Sequence, residues 1–167
     1  MPKSPLGIVA LHPWEIPWYE DALHPKSVQL KARLQTKLNA LLAEMPISHI
    51  TLLMDAGPIL DAAQHLLAQK QTTPFTLECL IPFEAQHANW PEAQREQYFS
   101  ILQRCDKESL LQAHFSVNCY QRGLQKLLTA CQTLLVIWNG AHGDAEDAIR
   151  AAEKAGVYLI VLHIENP

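Results

Sequence analysis

Two unbroken apolar runs constrain the fold more than anything else in the chain: Leu6-Gly7-Ile8-Val9-Ala10-Leu11 and Leu134-Leu135-Val136-Ile137-Trp138 after Thr133. Neither alternates with polar residues, so each reads as a strand covered on both faces, the environment of a parallel sheet between helix layers. Ile47 to Met54, Phe75 to Pro82 and Val157 to Ile164 read as further strands. Between them lie helical patterns. Val28, Leu30, Leu34, Leu38, Leu41 and Leu42 recur at helical spacing, with Ser27 expected as the N-cap and Pro46 beyond the end. Pro58 to Gln69, Pro91 to Cys105, Asn118 to Cys131 and Ala145 to Ala155 complete the helices, the last closed by Gly156. Strands alternating with helices of this length imply parallel crossovers. The expected fold is α/β: one doubly wound, mostly parallel, Rossmann-like sheet of five main strands in the order 3-2-1-4-5. Leu110 to Phe115 is expected as an extra edge strand.

A chain of 167 residues suffices for one domain, burying about 70% of its unfolded surface. No repeat or linker divides it, so residues 1–167 are read as a single domain. Thirteen basic against seventeen acidic residues, without a basic run, exclude a duplex nucleic acid as partner. Cys79, Cys105, Cys119 and Cys131 form no C-x-x-C pair, as expected of structural thiols in a reduced, cytoplasmic protein. The Leu6 to Leu11 run is too short for a signal peptide core or a membrane span. Eight scattered histidines show no metal-ligand spacing, so no metal is expected. A dinucleotide fingerprint, a P-loop and a nucleophile elbow are all absent, and no cofactor is implied.

With that strand order the chain reverses direction between the strands ending at Leu11 and Trp138, and ligands bind at such switch points. The segments beyond those ends are His12-Pro13-Trp14-Glu15 and Asn139-Gly140-Ala141-His142-Gly143-Asp144, a lining suited to a polar heterocycle. Asp55-Ala56-Gly57-Pro58 offers amides at a helix start for an anion. Pro82-Phe83-Glu84-Ala85-Gln86-His87-Ala88-Asn89-Trp90 has the make-up of a lid, and Tyr120 and Arg122 open a helix where the arginine could meet an anionic group.

The succession of His12-Pro13-Trp14, the Gly57 turn, Ile81-Pro82-Phe83 with Gln86 and Trp90, Tyr120-x-Arg122, and the strand running into Asn139-Gly140 resembles the SLOG superfamily. That group includes the Lonely-guy cytokinin-activating enzymes, the DNA-processing protein A domain and uncharacterised bacterial proteins. The resemblance implies a Rossmann-like fold that binds nucleotides or nucleotide-derived ligands at the strand ends, often as a homodimer. It would place ligand contacts at His12, Trp14, Gly57, Pro58, Phe83, Arg122 and Asn139 through Asp147.

Departures from the family pattern shape the functional expectation. Asp55 stands at a glycine position, Ile59 replaces an acid, Leu124 replaces an asparagine, and the late phosphate loop is shortened to Gly143-Asp144-Ala145-Glu146-Asp147. Carboxylates at that helix start would repel a phosphate, and the glutamate motif of the phosphoribohydrolases is missing. The leading expectation is therefore a binding or sensor domain for a nucleoside-like or nucleotide-derived small molecule, with low phosphate dependence. Alternatives are a nucleotide or nucleoside hydrolase using Asp55, Asp144, Glu146 or Asp147 as acid or base, and an interaction scaffold that has lost its ligand. Converging carboxylates at an enclosed pocket would favour the hydrolase, an open pocket without such convergence the sensor, and a pocket plugged by Ile59 or Trp14 the scaffold.

Overall fold

The computed structural model describes residues 4–165. Six strands form one sheet: β1 (Ser4–Ala10), β2 (Ile47–Leu53), β3 (Thr76–Ile81), β4 (Lys107–Leu110), β5 (Thr133–Trp138) and β6 (Tyr158–His163). Five helices connect them: α1 (Pro25–Glu44), α2 (Pro58–Gln69), α3 (Glu92–Arg104), α4 (Cys119–Ala130) and α5 (Asp144–Ala155). The strand order is β4-β3-β2-β1-β5-β6 and every pair is parallel. The α/β, Rossmann-like class is as the apolar runs imply. Leu6, Ile8, Leu134, Leu135, Val136 and Ile137 are all buried, because helices cover the central strands on both sides.

Two local expectations need correction. The first helix begins at Pro25, ahead of Ser27: His24 is its N-cap, accepting from the Lys26 amide at 3.1 Å, and proline occupies the first turn. The Ser27 hydroxyl instead donates to the Trp18 carbonyl at 2.9 Å, tying the helix to the segment before it. The sixth strand lies at Lys107–Leu110 and not at Leu110 to Phe115, next to β3 at the sheet edge. Its Lys107-Glu108-Ser109 sequence carries no apolar pattern, because an edge strand can leave charged side chains in water.

The connections are what position the site. The chain leaves β1 through two short 3-10 turns, Pro13–Glu15 and Pro17–Glu20, before entering α1. Helix α4 lies close on β1 and β2 because two glycines remove side chains from the contact. A Cβ on Gly7 would come 3.1 Å from Leu127 and Cys131, and one on Gly123 would come 2.8 Å from Leu53. This brings Tyr120, at the start of α4, over the ends of β1 and β2. All four cysteines are free thiols, three of them buried. No helix among the described residues is long and apolar enough to cross a membrane.

Candidate functional site at the switch point

The centre of the site is His12, two residues beyond β1 and only 3% exposed. Its backbone amide donates to the Glu15 carboxylate at 2.8 Å, which fixes the first 3-10 turn. The ring then lies between two acids. Nδ1 is 2.7 Å from Asp55, at the end of β2, and Nε2 is 2.6 Å from Asp144, at the start of α5. A ring with a carboxylate on each nitrogen is satisfied only as imidazolium, since both nitrogens must then donate. Burial alone would push the His12 pKa down, but the hydrogen bonds and charges of Asp55 and Asp144 outweigh it and raise the value to about 9. Near pH 7 the cluster is thus one buried cation between two anions. Asp55 also accepts from the Ala56 amide at 2.8 Å, and Asp144 accepts from Gln121 at 3.1 Å.

Aromatic rings enclose the imidazolium. Trp14 stacks on it with centroids 4.1 Å apart and planes 12° from parallel, and Tyr120 meets it edge-on at 4.4 Å. The Tyr120 hydroxyl donates to the Met54 carbonyl at 3.0 Å and accepts from Gln86 at 3.1 Å, so α4, the loop after β3 and the end of β2 are joined. Burial, with the charge of Asp55, raises the Tyr120 pKa well above its ordinary value, and the phenol stays a donor. The outer face of Trp14 remains open, with 71% of the residue exposed.

The gap expected at the switch point is nearly filled. Leu53, Tyr120, Leu124, Ala145 and Ala148 close around a void of about 20 Å³ beside His12, room for about one water and no ligand. Around it the charge is negative. Asp144, Glu146 and Asp147 occupy the first turn of α5. Glu15 lies against Gly143, so closely that a Cβ there would come 2.7 Å from its oxygen. Glu146 is held below the usual carboxylate range by its 2.5 Å contact with His142, and Arg150 also donates to it at 2.6 Å.

The other expected residues are spread around this centre. Gly57 caps α2 with φ +91°, and Pro58 starts the helix. Asn139 is buried and accepts from the Ala141 amide at 3.1 Å, which shapes the turn through Gly140. Phe83 meets Phe115 edge-on at 5.3 Å, Glu84 is exposed, and His142 points to Glu146 in solvent. Trp90 packs edge-on against Tyr98 of α3 at 5.1 Å, and Arg122 donates to Gln112 at 2.6 Å. Neither makes a hydrogen bond or a ring contact with the His12 cluster among the described residues. Gln121, one position before Arg122, is the α4 residue that reaches Asp144; its only sequence signal was its place on the polar side of the helix. No grouping of three His, Cys, Asp or Glu suited to a metal ion occurs among the described residues.

Comparison with known families settles the kinship. The YpsA family model, described as the YspA SLOG family, matches residues 12–158. The chain belongs to that family. No curated protein matches it. The matched span opens at His12 and takes in Asp55, Tyr120 and Asp144, so the whole cluster lies within the YpsA-family domain. Family and fold together make the chain a Rossmann-like, nucleotide-related domain of the SLOG group.

Proposed function

We propose that this YpsA-family domain binds a nucleoside-like small molecule on the outer face of Trp14, with little contact to phosphate. The observation that carries the reading is a tryptophan 71% exposed yet stacked on a histidine that two carboxylates hold in place. An exposed ring with a fixed backing is ready to stack without losing side-chain freedom on binding. Asp144, bonded to the imidazole that backs Trp14 and 37% exposed at its side chain, and Gln121, bonded to Asp144, supply acceptor and donor groups for a base edge.

The phosphate side of the reading follows from charge. An exposed helix start attracts an anion by only about 0.3 to 1 kcal/mol, and the first turn of α5 already carries three carboxylates. Arg122, which could have offset them, is bound to Gln112. A hydrolase reading has one observation in its favour, the convergence of Asp55 and Asp144 on His12. The void of about 20 Å³ there leaves a substrate no room, so binding is the better supported function.

Calorimetric titration of adenosine into the wild-type protein and into Trp14→Ala tests the reading. A stacked base contributes about 1 to 3 kcal/mol, so the substitution should weaken adenosine binding roughly tenfold or more. Thermal stability should be little changed, because the ring is exposed. Equal affinities would overturn the assignment of Trp14 as the platform.

A further inference from the structure

A larger cavity lies away from His12, between the second 3-10 turn, the start of α1, α2 and α3. It is a groove of about 400 Å³ with a mixed polar and apolar lining, within the usual range of small-molecule sites. Its lining includes two acids, Glu20 and Asp61, and two bases, Lys31 and Arg104, a formal sum of zero. None of these four has an ion-pair partner among the described residues. Opposite charges that share a groove and leave each other unpaired are complemented by a molecule carrying both signs.

The hydrogen bonding of the groove sharpens this. Asp61, half-buried on α2, accepts from the Tyr19 hydroxyl and from Gln97 at 2.9 Å, two neutral donors that orient its carboxylate without neutralising it. Each carboxylate oxygen keeps a lone pair for a further donor. Gln97 also donates to the Gln64 carbonyl at 2.8 Å, and the Gly57 amide donates to the Gln94 carbonyl at 3.2 Å. With their oxygens used, Gln64 and Gln94 retain free NH₂ groups, which add neutral donors to Lys31 and Arg104. The groove therefore offers an oriented anion on one helix and a set of donors and cations on its other walls.

We infer that this groove binds a small zwitterion of the amino-acid class, its ammonium on Asp61 and its carboxylate on Arg104, Lys31 and the glutamine amides. A simple anion would leave Asp61 uncompensated, and a simple cation would leave Lys31 and Arg104 so. The site shares no charged side chain with the Trp14 platform and is independent of the proposed function.

The test is an NMR titration of the ¹⁵N-labelled protein with each common L-amino acid, with acetate and methylammonium as half-ligands. At least one amino acid should shift the Gly57, Gln94 and Gln97 signals saturably, and each half-ligand should bind at least tenfold more weakly. Arg104→Ala, a change at an exposed position, should weaken the amino acid roughly tenfold or more, and Trp14→Ala should leave it unchanged. The inference is overturned if no amino acid saturates these signals, if acetate or methylammonium binds as tightly, or if Arg104→Ala binds like wild type.

Discussion

Raising the pH from 6.5 to 9 should remove a defined part of the stability of this protein. His12 has an ordinary pKa of 6.5 and is raised to about 9 in the folded state, where burial is outweighed by Asp55 and Asp144. The folded state holds the proton more tightly, so the contribution is fully present below pH 6.5 and is lost as pH rises through 9. At 1.36 kcal/mol per unit, the raised pKa corresponds to about 3 kcal/mol, nearly all of it gone by pH 9. Only the top of this window is shared with other buried groups. Burial also raises the Cys79, Cys105 and Cys131 thiols, the last to about 11, so unfolded thiols ionising near 9 remove stability from wild type and variant alike and cancel in their comparison. His65, pushed down by burial, acts below 6.5. The assay is urea denaturation between pH 6 and 9, followed by tryptophan fluorescence, on wild type and His12→Gln, which cannot titrate. Wild type should lose about 3 kcal/mol more than the variant across this range. An NMR titration of the His12 ring in wild type should show its midpoint near 9, independently of how well the variant folds. A ring midpoint near 6.5, or equal pH slopes for the two proteins, would refute the buried imidazolium.

Gly57 holds φ +91° with nothing near its missing Cβ, so Gly57→Ala meets a purely conformational penalty. Denaturant unfolding should show a loss of about 1 to 3 kcal/mol, and a loss below a few tenths would mean the turn relaxes. The four cysteines are free. Thiol titration of the unfolded protein, purified without reductant, should recover all of them, and a recovery of two would contradict the structure.

Burial on both faces made β1 and β5 legible, because such strands must be apolar throughout. The edge strand β4 was misplaced for the converse reason: Lys107, Glu108 and Ser109 face water enough to read as a loop. The cap of α1 lies three residues ahead of Ser27 because histidine is an unusual cap, although Pro25 in the next position carries the signal. At the site, His12, Asp55 and Asp144 were each chosen as strand-end residues. That they meet around one imidazole depends on the mutual placement of three chain segments, which no local pattern records. Trp90 and Arg122 were chosen by residue type, and the partners they take, Tyr98 and Gln112, are set by packing of α3 and α4. The groove escaped notice because Asp61, Gln64, Gln94 and Gln97 read in sequence as the wet faces of helices.

The most direct test of the functional account is a paired calorimetric titration of the wild-type protein with adenosine and with adenosine 5′-monophosphate at low salt. Three carboxylates at the start of α5 and an Arg122 engaged by Gln112 give the phosphate no favourable partner. Adenosine should therefore bind at least as tightly as the monophosphate, and adding salt should narrow any gap by screening the repulsion. A monophosphate that binds tenfold more tightly than adenosine would contradict the account, because it would require a phosphate site where the structure has placed carboxylates.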